Sequence, residues 1–360
     1  MTVLKSITST IYNDLKKRFP EQRDTQRRKL SELSAAVMLC KSPNLMEISN
    51  VLDRPTTCAN ALYNYVERFL KNPLVDHKAV MAPFAKDLLT RLAKAQHTVV
   101  LMIDQSKINA DMEAMVISVR LKKRALPLHW CIQKTSGNIG FDHQKELLET
   151  VASWAQGMNI MLAGDRFYGT KALVGLCQSL GWGYRLRLKG NTQLEHEGGL
   201  ITPMEAHHLG MKSLENVRFN DTDIPTHLGI LHENGHPEPW FIAMDVPPTT
   251  YRTLDYAMRW GIENMFSDFK SRGFDITQTQ IKNSDRLERL FLVITIAFHW
   301  VVSTGLSCKK KEPILSMKSP LRKNDDPVSL FLKWVCDASF DAWRSFKNHL
   351  LYSFIVTDEW

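Results

Sequence analysis

Thr98-Val99-Val100-Leu101-Met102-Ile103-Asp104 marks the point where the chain changes its hydrophobic period. An unbroken apolar run closed by a carboxylate reads as a strand buried on both faces, with Asp104 where the chain leaves the core. Downstream, the pattern predicts strands over 114–121 and 125–132, an amphipathic helix over about 142–154, and a second dense strand over 160–163 that runs into Gly164-Asp165. A helix over 171–180 and a strand over 184–188 follow. Neighbouring strands, a crossover helix and further strands imply an α/β fold built on a mixed sheet with helices for both faces.

Upstream of this run the period is helical. Leu30, Leu33, Val37 and Cys40 recur at helical spacing, Lys41-Ser42-Pro43-Asn44 breaks the pattern, and Leu45, Ile48, Val51 and Leu52 begin another helix. After Asp53-Arg54-Pro55, an apolar stripe of Ala59, Leu62, Tyr63, Val66, Phe69 and Leu70 ends before Asn72-Pro73. Short helices with tight turns, carrying Arg27 and Arg28 among other cations, suit a helix-turn-helix-like DNA reader, and equally any small helical bundle. Residues 1–95 are accordingly expected to form an all-helical, DNA-binding domain, with Arg27 and Arg28 as DNA contacts.

Beyond the sheet, 190–248 shifts toward His, Gly, Asn and Pro with short strand-like pieces such as Trp240-Phe241-Ile242-Ala243-Met244, as a β-rich insertion would. Helix returns over about 250–271. The apolar run 290–302 falls short of the ~20 residues a bilayer needs and reads as a buried helix. A catalytic domain is expected over 96–305, and the tail 306–360, with Lys309-Lys310-Lys311, has no legible role.

The composition bounds the function. In 360 residues, 44% are hydrophobic and 23% charged, which excludes a chain disordered throughout, and no repeat of fixed period is present. The net charge of +8 is concentrated in residues 1–100, where 16 Lys and Arg stand against 9 Asp and Glu. A polyanionic partner or a solvated helical face would each account for it. Six scattered cysteines without a C-x-x-C pair indicate neither zinc nor a disulfide framework and fit a reducing cytoplasm. The first 19 residues lack a signal peptide's apolar run, and neither a membrane nor a small-molecule substrate is indicated.

Asp104 and Asp165 each end a dense apolar strand, where side chains meet ligand. Either one alone could merely cap a turn. On the expected helix, Tyr256, Arg259, Glu263 and Lys270 fall within roughly 60° of one another at ~100° per residue, with Met258, Ile262, Met265 and Phe269 on the adjoining face. A solvated face of intrahelical pairs would look alike, but with the two aspartates a three-carboxylate site is the better account. Three carboxylates without thiol or imidazole select Mg²⁺ or Mn²⁺. Two such ions would clamp the attacking and leaving oxygens of a phosphodiester, with Arg259 and Lys270 available to backbone phosphates.

The pattern Y-x2-R-x3-E-x6-K, formed by Tyr256, Arg259, Glu263 and Lys270, resembles the YREK signature of bacterial insertion-sequence DDE transposases that cut through a DNA hairpin. Ile103-Asp104-Gln105-Ser106 and Gly164-Asp165-Arg166-Phe167-Tyr168-Gly169 look like that family's first and second acidic blocks, and the resemblance covers about residues 20–305. It implies an RNase H-like core, interrupted by the insertion, in which Asp104, Asp165 and Glu263 hold two Mg²⁺ ions. It further implies nicking at terminal inverted repeats, hairpin formation and joining to target DNA, carried out by a homodimer associated with the nucleoid. By the same likeness Tyr256, Arg259 and Lys270 grip phosphates near a flipped base, Trp240 is placed like an aromatic that stacks on it, and Arg166 could touch DNA. A non-cutting regulator derived from such an enzyme, or an RNase H-like nuclease without strand transfer, are the alternatives. His232 and His236, four apart but flanked by Gly235 and Pro237, do not read as helical metal ligands.

Overall fold

The computed structural model describes the backbone of residues 3–55, 58–122, 124–232 and 237–311, and side chains within 4–304. The tail expected over 306–360, beyond the backbone trace to 311, and His236 lie outside the described residues. The chain divides into two compact units, residues 1–77 with 268–360 and residues 78–267.

The first unit is helical: α1 (Val3–Arg18), α2 (Asp24–Cys40), α3 (Leu45–Asn50), α4 (Ala59–Leu70) and the long α11 (Ser284–Lys311). Leu4, Ile7, Ile11 and Leu15 put a buried stripe along α1, and Leu62, Val66, Phe69 and Leu70 do so along α4. The predicted break after α2 is a left-handed cap, with Lys41 at φ 54° donating its N–H to Val37 O. The Asn44 side chain caps α3 by accepting from Met46 N–H (2.9 Å). The apolar run of α11 is long enough to cross a bilayer by length and composition, yet 78% of it is buried inside the protein. Ser34 Oγ on α2 donates to Val293 O (3.2 Å), and Arg289 Nε donates to Val75 O (3.1 Å).

The second unit opens with α5 (His77–Ala95) and is built on one ten-stranded sheet. Its strands are β1 (Val99–Lys107), β2 (Met112–Leu121), β3 (Arg124–Lys134), β4 (Ile160–Gly164), β5 (Gly183–Arg187), β6 (Leu194–His196), β7 (Gly199–Ile201), β8 (Ser213–Phe219), β9 (Pro225–Leu231) and β10 (Trp240–Met244). The spatial order is β3-β2-β1-β4-β5-β10-β9-β8-β6-β7. Strands β1, β4 and β5 run parallel, while β2 is antiparallel to both of its neighbours. With α6 (Phe141–Trp154) and α7 (Lys171–Ser179) as crossovers, the first five strands form the mixed sheet that the sequence pattern predicts, consistent with the RNase H-like core that the resemblance implies.

The β-rich stretch is not a separate layer. Strand β10 pairs antiparallel with β5, so β6 to β10 extend the same ladder, with α8 (Pro203–His208) capped by a Thr202/Glu205 box. The expected helix over 250–271 is also different in detail. It is α9 (Thr250–Leu254), a 3₁₀ segment Asp255–Arg259, and α10 (Trp260–Phe269).

Candidate active site

Strand β1 is buried from Val99 to Ile103 and only then begins to emerge, which leaves the Asp104 side chain 15% exposed. Register places the two aspartates together: Ile103 pairs with Gly164, so Asp104 and Asp165 follow on neighbouring parallel strands at their carboxyl ends. Asp104 Oδ1 accepts from Gln105 N–H (2.8 Å) and Asp165 Oδ1 from Phe167 N–H (2.9 Å), which fixes each carboxylate against its own backbone. The turn after Asp165 is sterically closed. A Cβ on Gly164 would lie 2.8 Å from Tyr168 Cβ, and one on Gly169 would lie 2.0 Å from Arg187 O. Only glycine admits so close a backbone approach.

Glu263 reaches the site from α10. Arg259 Nη1 donates to Asp104 Oδ2 (3.2 Å) and Nη2 to Glu263 Oε1, while Nε donates to Tyr256 Oη (3.1 Å). One guanidinium thus bridges two carboxylates from elements far apart in the chain. In the 3₁₀ segment i and i+3 eclipse, which stacks Tyr256 under Arg259; the α-helical step of four then carries Glu263 to the same side. The alignment is that of the signature, but Tyr256 (3% exposed) and Arg259 (9%) are buried rather than on a solvated face. Tyr256 packs on Ile242 and Met244 of β10, and Trp240 meets it edge-on at 5.1 Å and 77°.

Burial is the main force on Asp104 and raises its pKa to about 7. Arg259 opposes that rise, and the charges of Asp165 and Glu263 add to it. Burial also works against the charge of Arg259, but Tyr256, Glu263 and Asp104 outweigh it and hold the guanidinium protonated. Tyr168, buried to 1% exposure, keeps a hydroxyl with no hydrogen-bond partner among the described residues; burial, then Asp104 and Asp165, push its pKa well up. Tyr168 lies in the second acidic block, where its residue type alone points to no role. Its signal was an aromatic in the tight turn directly after the second acidic strand.

The other expected residues are not among the side chains that Arg259 gathers. Arg166 is exposed and pairs with Glu238, which Arg187 also reaches (3.3 Å). Lys270 follows α10 by one residue and belongs to the helical unit, where its carbonyl accepts from Gly273 N–H (3.3 Å) and Asp275 N–H (2.8 Å). Arg27, in the same unit, is 8% exposed and donates to Phe19 O and Pro20 O (2.5 and 2.9 Å), whereas Arg28 is exposed and pairs with Asp24 (2.5 Å).

Residues 141–300 match the family model described as "Transposase DDE domain". The match supports a DDE transposase. The matched segment holds Asp165, the strands that extend the sheet, Tyr256, Arg259, Glu263 and Lys270; Asp104 precedes it. Among solved structures, endonuclease V of Ciona intestinalis, in complex with a 24mer DNA containing an inosine followed by a ribo-adenosine, is 13% identical, covering 61% of this chain and 89% of its own at a TM-score of 0.27. No curated protein matches the chain.

DDE transposases generally use divalent metals, and the donor chemistry here fits one. Asp104, Asp165 and Glu263 offer hard oxygens, a cation (the Arg259 guanidinium) already sits between two of them, and the Tyr168 hydroxyl beside the aspartates lacks an oxygen partner. Among the described residues no group of three His, Cys, Asp or Glu side chains is gathered for an ion as it stands.

Proposed function

We propose that the chain is a transposase that cuts its element free and joins it to target DNA by metal-dependent phosphoryl transfer. The observation that carries this is the convergence of Asp104, beside Asp165 in register, with Glu263 on one guanidinium. Asp104, Asp165 and Glu263 would hold the ions, two Mg²⁺ or Mn²⁺. When bound, they supply an activated water and neutralise charge building on the phosphate. Arg259 is the cation already at that spot, and a bidentate fork suits a phosphate as well as it suits two carboxylates. Tyr256 orients the Arg259 fork through its hydroxyl, and the half-buried Trp240, at right angles to Tyr256, would stack a ring face on an extruded base, a contact worth ~1–3 kcal/mol. Lys270 and Arg166 would add phosphate contacts.

The finer reading is cleavage through a DNA hairpin at terminal inverted repeats by a homodimer, in the cytoplasm, with the helices of residues 1–95 reading the DNA and the exposed Arg28, rather than the buried Arg27, among their contacts. The resemblance of Tyr256, Arg259, Glu263 and Lys270 to the YREK signature supports it. Purified protein with Mg²⁺ and DNA carrying the element's ends tests it. Hairpin-capped ends support the full reading. Simple nicks replace it with a nuclease, and a shifted but uncut band with a DNA-binding regulator.

A further inference from the structure

Strands β1 and β4 carry Asp104 and Asp165 at one end, and at the other end of β1, β4 and β5 the sheet is hollowed by an open cleft of about 970 Å³. Arg120, Lys122, Arg185 and Arg252 line it against two acids, Asp245 and Asp255. Arg185 is buried and spent: Nη1 donates to Asp245 Oδ1 (2.8 Å), and Nη2 stands 3.5 Å from Asp255 Oδ2. The remaining cations have no such partner. Arg120 Nε donates to Lys122 O and Arg252 Nη1 to Pro247 O (2.7 Å each), and among the described residues neither they nor Lys122 form an ion pair with a carboxylate. The cleft therefore holds more positive than negative charge, on side chains that are exposed or half-buried. Burial presses on Arg120 in particular and lowers its pKa, with Asp255 opposing, as expected of a cation short of anions.

We propose that this cleft binds the phosphate backbone of a stretch of DNA other than the one held at the carboxylates. This rests on the reading of the chain as a DNA-cutting enzyme. Sites for small molecules are mainly apolar and enclosed, whereas this lining is mainly polar and opens to solvent, as a groove that tracks a charged backbone must. Because the acids and the cleft occupy opposite ends of the same parallel strands, a duplex lying on the acids does not enter the cleft. Arg and Lys without base-reading partners serve affinity and not sequence choice, so the bound segment is DNA of any sequence.

The test is a double charge reversal, Lys122→Glu with Arg252→Glu, both on exposed side chains. Binding of a duplex lacking the element's ends is followed by fluorescence anisotropy across a salt series. The expected result is at least a tenfold loss of affinity at low salt and a salt slope shallower by about 2, near 0.9 per lost phosphate contact. The same reversal at Lys145 and Lys171, outside the cleft, should leave the slope as it is; a control as damaging as the cleft variant overturns the proposal, as does an unchanged cleft variant. Displacement of the duplex by micromolar AMP but not by competing duplex also overturns it, in favour of a mononucleotide site. Cleavage of terminal-repeat DNA by the wild-type protein separates the two readings. If it persists while the cleft variant binds plain duplex normally, only the cleft proposal falls; if wild type neither binds nor cuts DNA, the enzymatic reading falls and takes the cleft with it.

Discussion

A guanidinium as buried as that of Arg259 cannot shed its charge, so the fold must leave it a carboxylate partner, and Asp104 and Glu263 each offer one. Replacing it by Ala strands Asp104 in a buried setting beside Asp165 and Glu263. Loss of one partner from such a pair costs about 3–5 kcal/mol, and Arg259→Ala should lose that much in urea unfolding, with Arg259→Lys intermediate because an ammonium cannot fork. Asp104 behaves the opposite way. Its folded pKa of about 7 lies above the unfolded value of 3.8, so its charge opposes folding: the penalty is full above pH 7 and vanishes as pH falls to about 4. Asp104→Asn leaves Arg259 its contact with Glu263 and should raise Tm at pH 8, by up to about 4 kcal/mol of stability, with the gain fading by pH 5. A gain as large at pH 5 as at pH 8 would rule out ionisation of Asp104 as its source.

Among the elements, the turn between β4 and α7 carries the second aspartate on a backbone with no room to spare. Gly169→Ala would drive a methyl into the Arg187 carbonyl, and the turn that fixes Asp165 must shift. A misplacement of about 1 Å at a reacting centre costs ~10²-fold, and a loss of that order in DNA cleavage with DNA binding retained is the expected result. Strands β1 and β4 were legible because a buried strand ended by Asp leaves a dense, short signature. The break within 250–269 was not, because α and 3₁₀ helix both place apolar residues three apart, and nothing in Asp255-Tyr256-Ala257-Met258-Arg259 distinguishes them. Nor was the union of β10 with β5, since pairing across 50-odd residues depends on tertiary context that local pattern does not carry.

For the whole molecule, the excess positive charge within residues 1–100 predicts an affinity for DNA that falls steeply with salt. Charge in the sequence did not reveal which cations are free. Arg27 looked like a phosphate contact, yet it holds the carbonyls of Phe19 and Pro20 together, while Arg28 lies on the surface. Arg27→Ala should lower Tm and leave the salt slope of DNA binding unchanged; Arg28→Ala should make the slope shallower by about 0.9 if its side chain meets a phosphate, at little cost in Tm. Scanning calorimetry and the anisotropy series read the two effects apart.

Three residue pairs, Ile242 with Arg187, Ala243 with Leu186 and Met244 with Arg185, join the outer five strands to the inner five, and Leu188 N–H donating to Phe241 O (2.7 Å) continues the row. Arg185 crosses that row like a rivet, fastened to Asp245 just past β10 and reaching Asp255 ahead of the buried tyrosine. Pulled apart, the ribbon would tear here into a flap bearing Trp240 and an inner plate bearing both aspartates. Removing the rivet would thus loosen the hold of the aromatic's strand on the acids' strands without touching either, while the Tyr184 hydroxyl still donates to Thr226 across the seam.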